Sequence, residues 1–155
     1  MELLIKLAWG RDADKNLPLP TFQTPGSAGA DVCANFGLSQ RSLEIKPGAR
    51  ALIPTGFSLE IPNNYEIQIR PRSGLAITHG ITILNSPGTI DSDYRGLIGI
   101  ILINHGHEIY KILHGDRIAQ MIVSPINHAL FETTDHLRES SRGAGGFGST
   151  GKNNV

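Results

Sequence analysis

The sequence predicts an all-β domain, a sandwich or barrel of short strands with one short helix. Three observations lead there. Its 155 residues include 18 glycines and 9 prolines, scattered along the chain as turn-formers. The apolar runs are short and rich in β-branched isoleucine, which suits a pleated, half-buried surface. No stretch keeps helical apolar spacing over several turns. The length allows one domain with a real core.

Taken in order, Leu3 to Leu7 reads as a first strand, and Pro18, Pro20 and Pro25 make an extended loop. Gly26 to Cys33 carries a second short strand, and Leu43 to Ile45 alternates before a turn at Pro47-Gly48. Ala51 to Pro54 and Phe57 to Ile61 are strands parted by Thr55-Gly56, and Pro62-Asn63-Asn64 is expected to be a hairpin turn. Tyr65 to Arg70 alternates cleanly, with Ile67 and Ile69 on one face. Ser73 to His79 is the candidate helix, with Ser73 as N-cap and Gly80 as its stop. Ile81 to Leu84 and Leu97 to Ile103 are strands around a Gly/Pro/Asp-rich loop. The second of these is apolar on both faces and must be covered on both, in a core or by another subunit. Asn104-His105-Gly106 is a turn, Glu108 to Ile112 and Ile118 to Val123 are strands, and Ala129 to Phe131 is expected as a last one. From Arg138 the composition turns to Ser, Gly, Arg and Asn, which divides the chain into a β domain, 1–137, and a Gly-rich arm, 138–155.

Fourteen basic residues balance fourteen acidic ones. That balance argues against a nucleic-acid groove or an acidic-membrane surface. Cys33 is the only cysteine, so there is no disulfide framework and no Cys-based zinc site, which fits a reducing compartment. The N-terminal apolar run carries Glu2 and Lys6 and is too short for a signal peptide or a span. A cytoplasmic, soluble protein is expected.

Five stretches carry polar residues beside tight turns. In S-A-G-A-D-V-C-A, Asp31 reads either as a turn carboxylate or as a group that holds Mg²⁺ through water. In P-R-S-G-L-A, Arg72 and a helix start offer donors to an anion, unless the serine merely caps. In N-S-P-G-T-I-D-S-D-Y-R-G, Asp91 and Asp93 have strand spacing, and a carboxylate there can act as general base to a bound water. A polar hairpin tip reads the same way. In G-D-R-I-A-Q-M-I-V, Asp116 and Arg117 are placed to pair locally, and Gln120 is an amide inside an apolar run that needs partners. The last, R-G-A-G-G-F-G-S-T-G, has nothing to bury and reads as a lid for a phosphorylated ligand or as a frayed end. His105 and His107 lack a third ligand nearby, Trp9 reads as packing, and Cys33 as a small core residue.

In this order the five stretches resemble the motifs of the homotrimeric dUTPase family, over Gly26 to Gly151. Ala30 stands where the family often has an aromatic; the neighbouring Asp31 is in place. The resemblance implies a jelly-roll β fold, a homotrimer with active sites shared between subunits, and Mg²⁺ as cofactor. It implies hydrolysis of dUTP to dUMP and pyrophosphate, which lowers dUTP and supplies dUMP for thymidylate synthesis. Asp91 matches the carboxylate that activates the water attacking the α-phosphorus, and Asp31 the one that holds the metal through water. Arg72, Ser73, Gly74 and Gln120 match phosphate-binding positions. Asn85, Thr89, Ile90 and Gly99 match the uracil hairpin, and Tyr94 the residue under deoxyribose. Phe147 matches the aromatic that covers uracil, with Gly148 beside it at the substrate, and Arg142, Ser149 and Thr150 match holders of the γ-phosphate. The rivals are a dCTP deaminase, which shares the fold, and a non-catalytic trimeric nucleotide-binding module. The I-D-S-D-Y run and its phosphate donors fit the hydrolase better.

Overall fold

The computed structural model describes residues 3–149. It holds eleven strands and one helix among them. The elements are β1 (Lys6–Trp9), β2 (Ala30–Cys33), β3 (Ser42–Ile45), β4 (Arg50–Pro54), β5 (Phe57–Glu60), β6 (Tyr65–Arg70), α1 (Ser73–His79), β7 (Ile81–Ile83), β8 (Gly88–Ile90), β9 (Gly99–Asn104), β10 (Tyr110–Leu113) and β11 (Arg117–Pro125). All pairings are antiparallel, in the orders β2-β11-β6-β8, β4-β9-β7, β1-β5 and β3-β10.

Isoleucine builds the core. Ile45, Ile53, Ile81, Ile98, Ile100, Ile112 and Ile118 are all buried, from different sheets, joined by Val32 and Leu102. A branched Cβ keeps such side chains stiff on the pleat, so little rotamer freedom is lost on packing. Asn104 is the buried polar joint. Its Nδ2 donates to the carbonyls of Ile45 and Glu108 at 2.9 and 2.8 Å, and its Oδ1 accepts the Gly106 N–H at 2.8 Å. One amide thus closes the turn between β9 and β10 and leaves no buried orphan.

Several sequence expectations shift. The first strand starts at Lys6 rather than Leu3, because its partner β5 ends at Glu60. The second starts at Ala30, since Gly26 to Gly29 lies outside any strand. Pro62 to Asn64 turns the chain but makes no hairpin, because β5 pairs with β1 and β6 with β11 and β8. Gly88 to Ile90, inside the stretch expected as loop, pairs with β6 as β8. Ala129 to Phe131 forms no strand, and Leu130 and Phe131 are almost fully exposed.

β9 shows what its two apolar faces do. Ile100 and Leu102 enter the core, while Ile101 and Ile103 face outward, half-buried. Leu52 of β4 stands directly opposite Ile101 and is 64% exposed, and Leu97, just ahead of the strand, is 58% exposed. The chain therefore covers one face of this sheet and leaves an apolar stripe on the other.

Candidate active site

The site residues gather in two places. The first lies between β8 and β9. β8 pairs with β6, and the chain turns beyond Ile90 with the Tyr94 N–H on the Asp91 carbonyl at 3.2 Å. Arg95 closes that turn, its Nη1 donating to the carbonyls of Ser92 and Tyr94 at 2.6 and 3.0 Å. Tyr94 folds back, its hydroxyl donating to the Leu97 carbonyl at 3.2 Å. Its ring lies so close over Gly96 that any Cβ there would collide with it. A cavity of about 190 Å³ results, lined by Thr89, Ile90, Asp91, Tyr94, Leu97, Ile98 and Gly99. Asn85 stands on the wall of an adjoining smaller hollow that shares Thr89, Ile90 and Gly99. Five expected residues thus meet at one cavity, with the sixth beside it.

The second group is built around Asp31. In β2 it faces Gln120 of β11, and Gln120 in turn faces Arg70 of β6. Asp31 is nearly buried, its side chain only 4% exposed. Arg117 Nη1 donates to its Oδ2 at 2.9 Å, Gln120 Nε2 to its Oδ1 at 3.3 Å, and Arg72 Nε lies 3.5 Å from the same Oδ1. Arg72 Nη1 also donates to the Arg117 carbonyl at 2.9 Å. A buried carboxylate needs such partners, since an unpaired charge costs several kcal/mol. Nearby Cys33 is half-buried, and its thiol pKa is pushed up, first by burial.

Three local expectations change here. Arg72, not Ser73, is the N-cap of α1, with extended φ and ψ of −92° and 126° and no side-chain capping bond. The reason is that the Arg72 carbonyl already accepts the Ala76 N–H at 3.1 Å, so Ser73 is the first helical residue and its hydroxyl is exposed. Gly80 ends the helix in the left-handed region at φ 68°, as expected. Asp116 and Arg117 do not pair. The Asp116 carboxylate accepts the Leu113 N–H at 2.8 Å and closes the turn, while Arg117 reaches Asp31. Gln120 is half-buried rather than buried.

Strand register keeps the two groups apart within one chain. Ile90 stands opposite Ile67 in the antiparallel pair, so Asp91 leaves β8 toward the Tyr65 end of β6. Arg72 follows Arg70 at the other end. At the rise of an extended strand the two residues lie on the order of 20 Å apart along the sheet. Among the described residues the arm joins neither group. Arg142 Nε donates to the Gly145 carbonyl at 2.7 Å, the Ser149 N–H bonds to the Gly146 carbonyl at 3.0 Å, and Phe147 is fully exposed. Phe147 and Gly148 take positive φ of 49° and 90°. Thr150 lies outside the described residues.

The fit of a metal follows from the donor set. Among the described residues no three His, Cys, Asp or Glu side chains converge as a metal cage. Asp31 is too enclosed by two guanidiniums for direct coordination. The set fits a Mg²⁺ that keeps its waters and takes its other oxygens from a substrate's phosphates. No helix among the described residues is long and apolar enough to cross a membrane.

Known proteins resemble this chain closely. The dUTPase family model matches residues 15–151. The deoxyuridine 5'-triphosphate nucleotidohydrolase of Roseobacter denitrificans is 56% identical over 147 residues, covering 95% of each chain. That of Methylocella silvestris is 53% identical over 136 residues, covering 88% of this chain and 84% of the relative. Among solved structures, the dUTPase of Staphylococcus bacteriophage 80alpha with dUpNHpp superposes with a TM-score of 0.82 at 24% identity, over 96% of this chain and 99% of that one. A variant of the phage phi11 dUTPase from S. aureus, described with a structural Mg(II) ion, has a TM-score of 0.72 at 21% identity, over 86% and 97%. The shared fold is jelly-roll-like.

Proposed function

The chain belongs to the dUTPase family, and from that premise we propose that it hydrolyses dUTP to dUMP and pyrophosphate. The observation that carries the site assignment is the cavity between β8 and β9 with Asp91 on its wall. Uracil enters there. The backbone of Thr89, Ile90 and Gly99, with Asn85 alongside, reads its edge, and a site that pairs the correct edge rejects the wrong one because unpaired buried groups are costly. Tyr94 packs under the deoxyribose and leaves no room for a ribose 2′-hydroxyl. Asp91 takes a proton from a water as that water's oxygen bonds to the α-phosphorus. The bond from that phosphorus to the bridging oxygen breaks, and pyrophosphate leaves. Such transfer needs in-line placement and charge neutralisation more than covalent help. Arg72, Ser73, Gly74 and Gln120 provide donors for the phosphates. Asp31 would hold a Mg²⁺ through water, and the ion would supply charge neutralisation at the phosphates.

Register sets Asp91 and Arg72 on the order of 20 Å apart along the sheet, which supports a homotrimer whose sites are shared between subunits. The apolar stripe of Leu52, Leu97 and Ile101 is surface for such an assembly to cover. The domain comprises residues 1–137, and the arm, 138–155, closes over the substrate. There Phe147 and Gly148 lie at the base, and Arg142, Ser149 and Thr150 at the γ-phosphate. The product supplies thymidylate synthesis in the cytoplasm, while dUTP is kept low.

Pyrophosphate release with Mg²⁺ across dUTP, dTTP, dCTP and UTP tests the reading. Only dUTP is expected to turn over. Asp91→Asn is expected to lose roughly 10²- to 10⁴-fold in rate while still binding nucleotide. Ammonia release from dCTP, or wild-type turnover by Asp91→Asn, overturns it.

A further inference from the structure

We propose that Arg117 is a second guanidinium of the triphosphate site, presented beside Arg72 by the buried carboxylate of Asp31. This rests on the dUTP reading and extends it to a residue whose sequence position pointed only to a local partner, Asp116.

A bulge aims Arg117. The register of β11 against β2 shifts between Arg117 and Ala119. Ile118 and Ala119 are both buried, which strict alternation along a strand forbids and a bulge permits. Without the shift Arg117 would point with Ala119 into the core. With it Arg117 and Gln120 emerge on one face, and both reach Asp31.

Charge and exposure then set what Arg117 does there. One carboxylate stands against two guanidiniums, so the cluster carries net positive charge. The carboxylate is 4% exposed, whereas the Arg117 side chain is 46% and Arg72 26% exposed. The negative partner is hidden and the positive ones face outward. Arg117 uses Nη1 on Asp31, and among the described residues its Nε and Nη2 meet no acceptor. A guanidinium has five N–H donors in a fixed fork, so one fixed edge leaves another aimed and unused. Arg72 is tied into the same unit through the Arg117 carbonyl. Two like charges held side by side repel each other, and an oligophosphate relieves that repulsion while taking charge-assisted hydrogen bonds from both. Asp31 is then the positioning residue for both arginines.

Calorimetric titration of the full-length protein in Mg²⁺ buffer, with non-hydrolysable α,β-imido-dUTP and with dUMP, tests this. Arg117→Gln is expected to bind the triphosphate analogue about tenfold more weakly or worse, with dUMP affinity within about twofold of wild type. Arg117→Lys is expected to fall between, because it keeps the charge and loses the fork. Analogue affinity unchanged in Arg117→Gln overturns the proposal. So does an equal loss for dUMP and the analogue, which marks a general disturbance of the site. Wild-type protein that binds neither ligand overturns the dUTP reading itself, and this inference with it.

Discussion

Asp14 and His114 stand 100 positions apart and meet at 3.1 Å through Asp14 Oδ2 and His114 Nε2. His114 Nδ1 accepts the Phe36 N–H at 3.2 Å, so Nε2 carries the proton and donates to the carboxylate. Asp14 Oδ1 accepts the Asn16 N–H at 2.9 Å, and Asn35 clasps the Asp14 backbone from both sides. The Asp14 carboxyl is held below its ordinary value, first by the Asn16 N–H and further by His114, with burial opposing. A depressed folded-state pKa gives stability that is full above the unfolded value and lost as pH falls through the folded one. Asp14→Asn is therefore expected to melt below wild type at neutral pH, with the gap closing as pH falls below about 4. Thermal unfolding from neutral to acid pH measures this, and a gap independent of pH contradicts it. At this scale the sequence shows which residues bear chemistry, and it hides their partners. Asp31, Arg72, Asp91 and Gln120 are conspicuous as polar groups beside turns. That Asp31 meets Arg117 across 86 positions follows only from strand pairing, whereas adjacency in sequence points to Asp116.

Elements with strong local signals were legible to the residue. β6 keeps its predicted bounds because Ile67 and Ile69 alternate with polar neighbours, and α1 ends where Gly80 must take a left-handed turn. β8 was not legible. Its three residues sit in a loop with glycine, proline and aspartate, and only pairing with Ile67, Gln68 and Ile69 makes them a strand. The Ala129–Phe131 run fails for the opposite reason, since its apolar residues find no partner strand in the described chain. Past Pro125 there is no strand or helix among the described residues, and residues 138–144 are exposed. Truncation after Leu137 is accordingly expected to change folding stability by no more than about 0.5 kcal/mol, while removing most dUTP hydrolysis. Denaturant unfolding and a pyrophosphate assay on the same preparation measure both. Full activity in the shortened chain contradicts the role of the arm.

The whole molecule poses the question that single residues and elements leave open. The cavity with Asp91 on its wall and the Asp31–Arg72–Arg117 group are both well built, and one antiparallel strand, β6, holds them at opposite ends. Neither end brings the two groups together within one chain. The sequence stretches that resemble family motifs lie in order along the chain, but order along a chain says nothing about which copy supplies each one. Register fixes only how far apart two residues on paired strands of one chain lie. In the proposed cyclic assembly one copy's Asp91 would meet the next copy's Arg72, and every site would be composite. Subunit mixing tests this central claim most directly. Asp91→Asn and Arg72→Ala are each expected to be inactive alone. After dissociation and random reassociation of equal amounts, dUTP turnover should recover to about a quarter of wild type, the fraction of interfaces joining an intact Asp91 to an intact Arg72 in a cyclic assembly. Mixed assemblies seen by native mass spectrometry that are no more active than the two parents would contradict it.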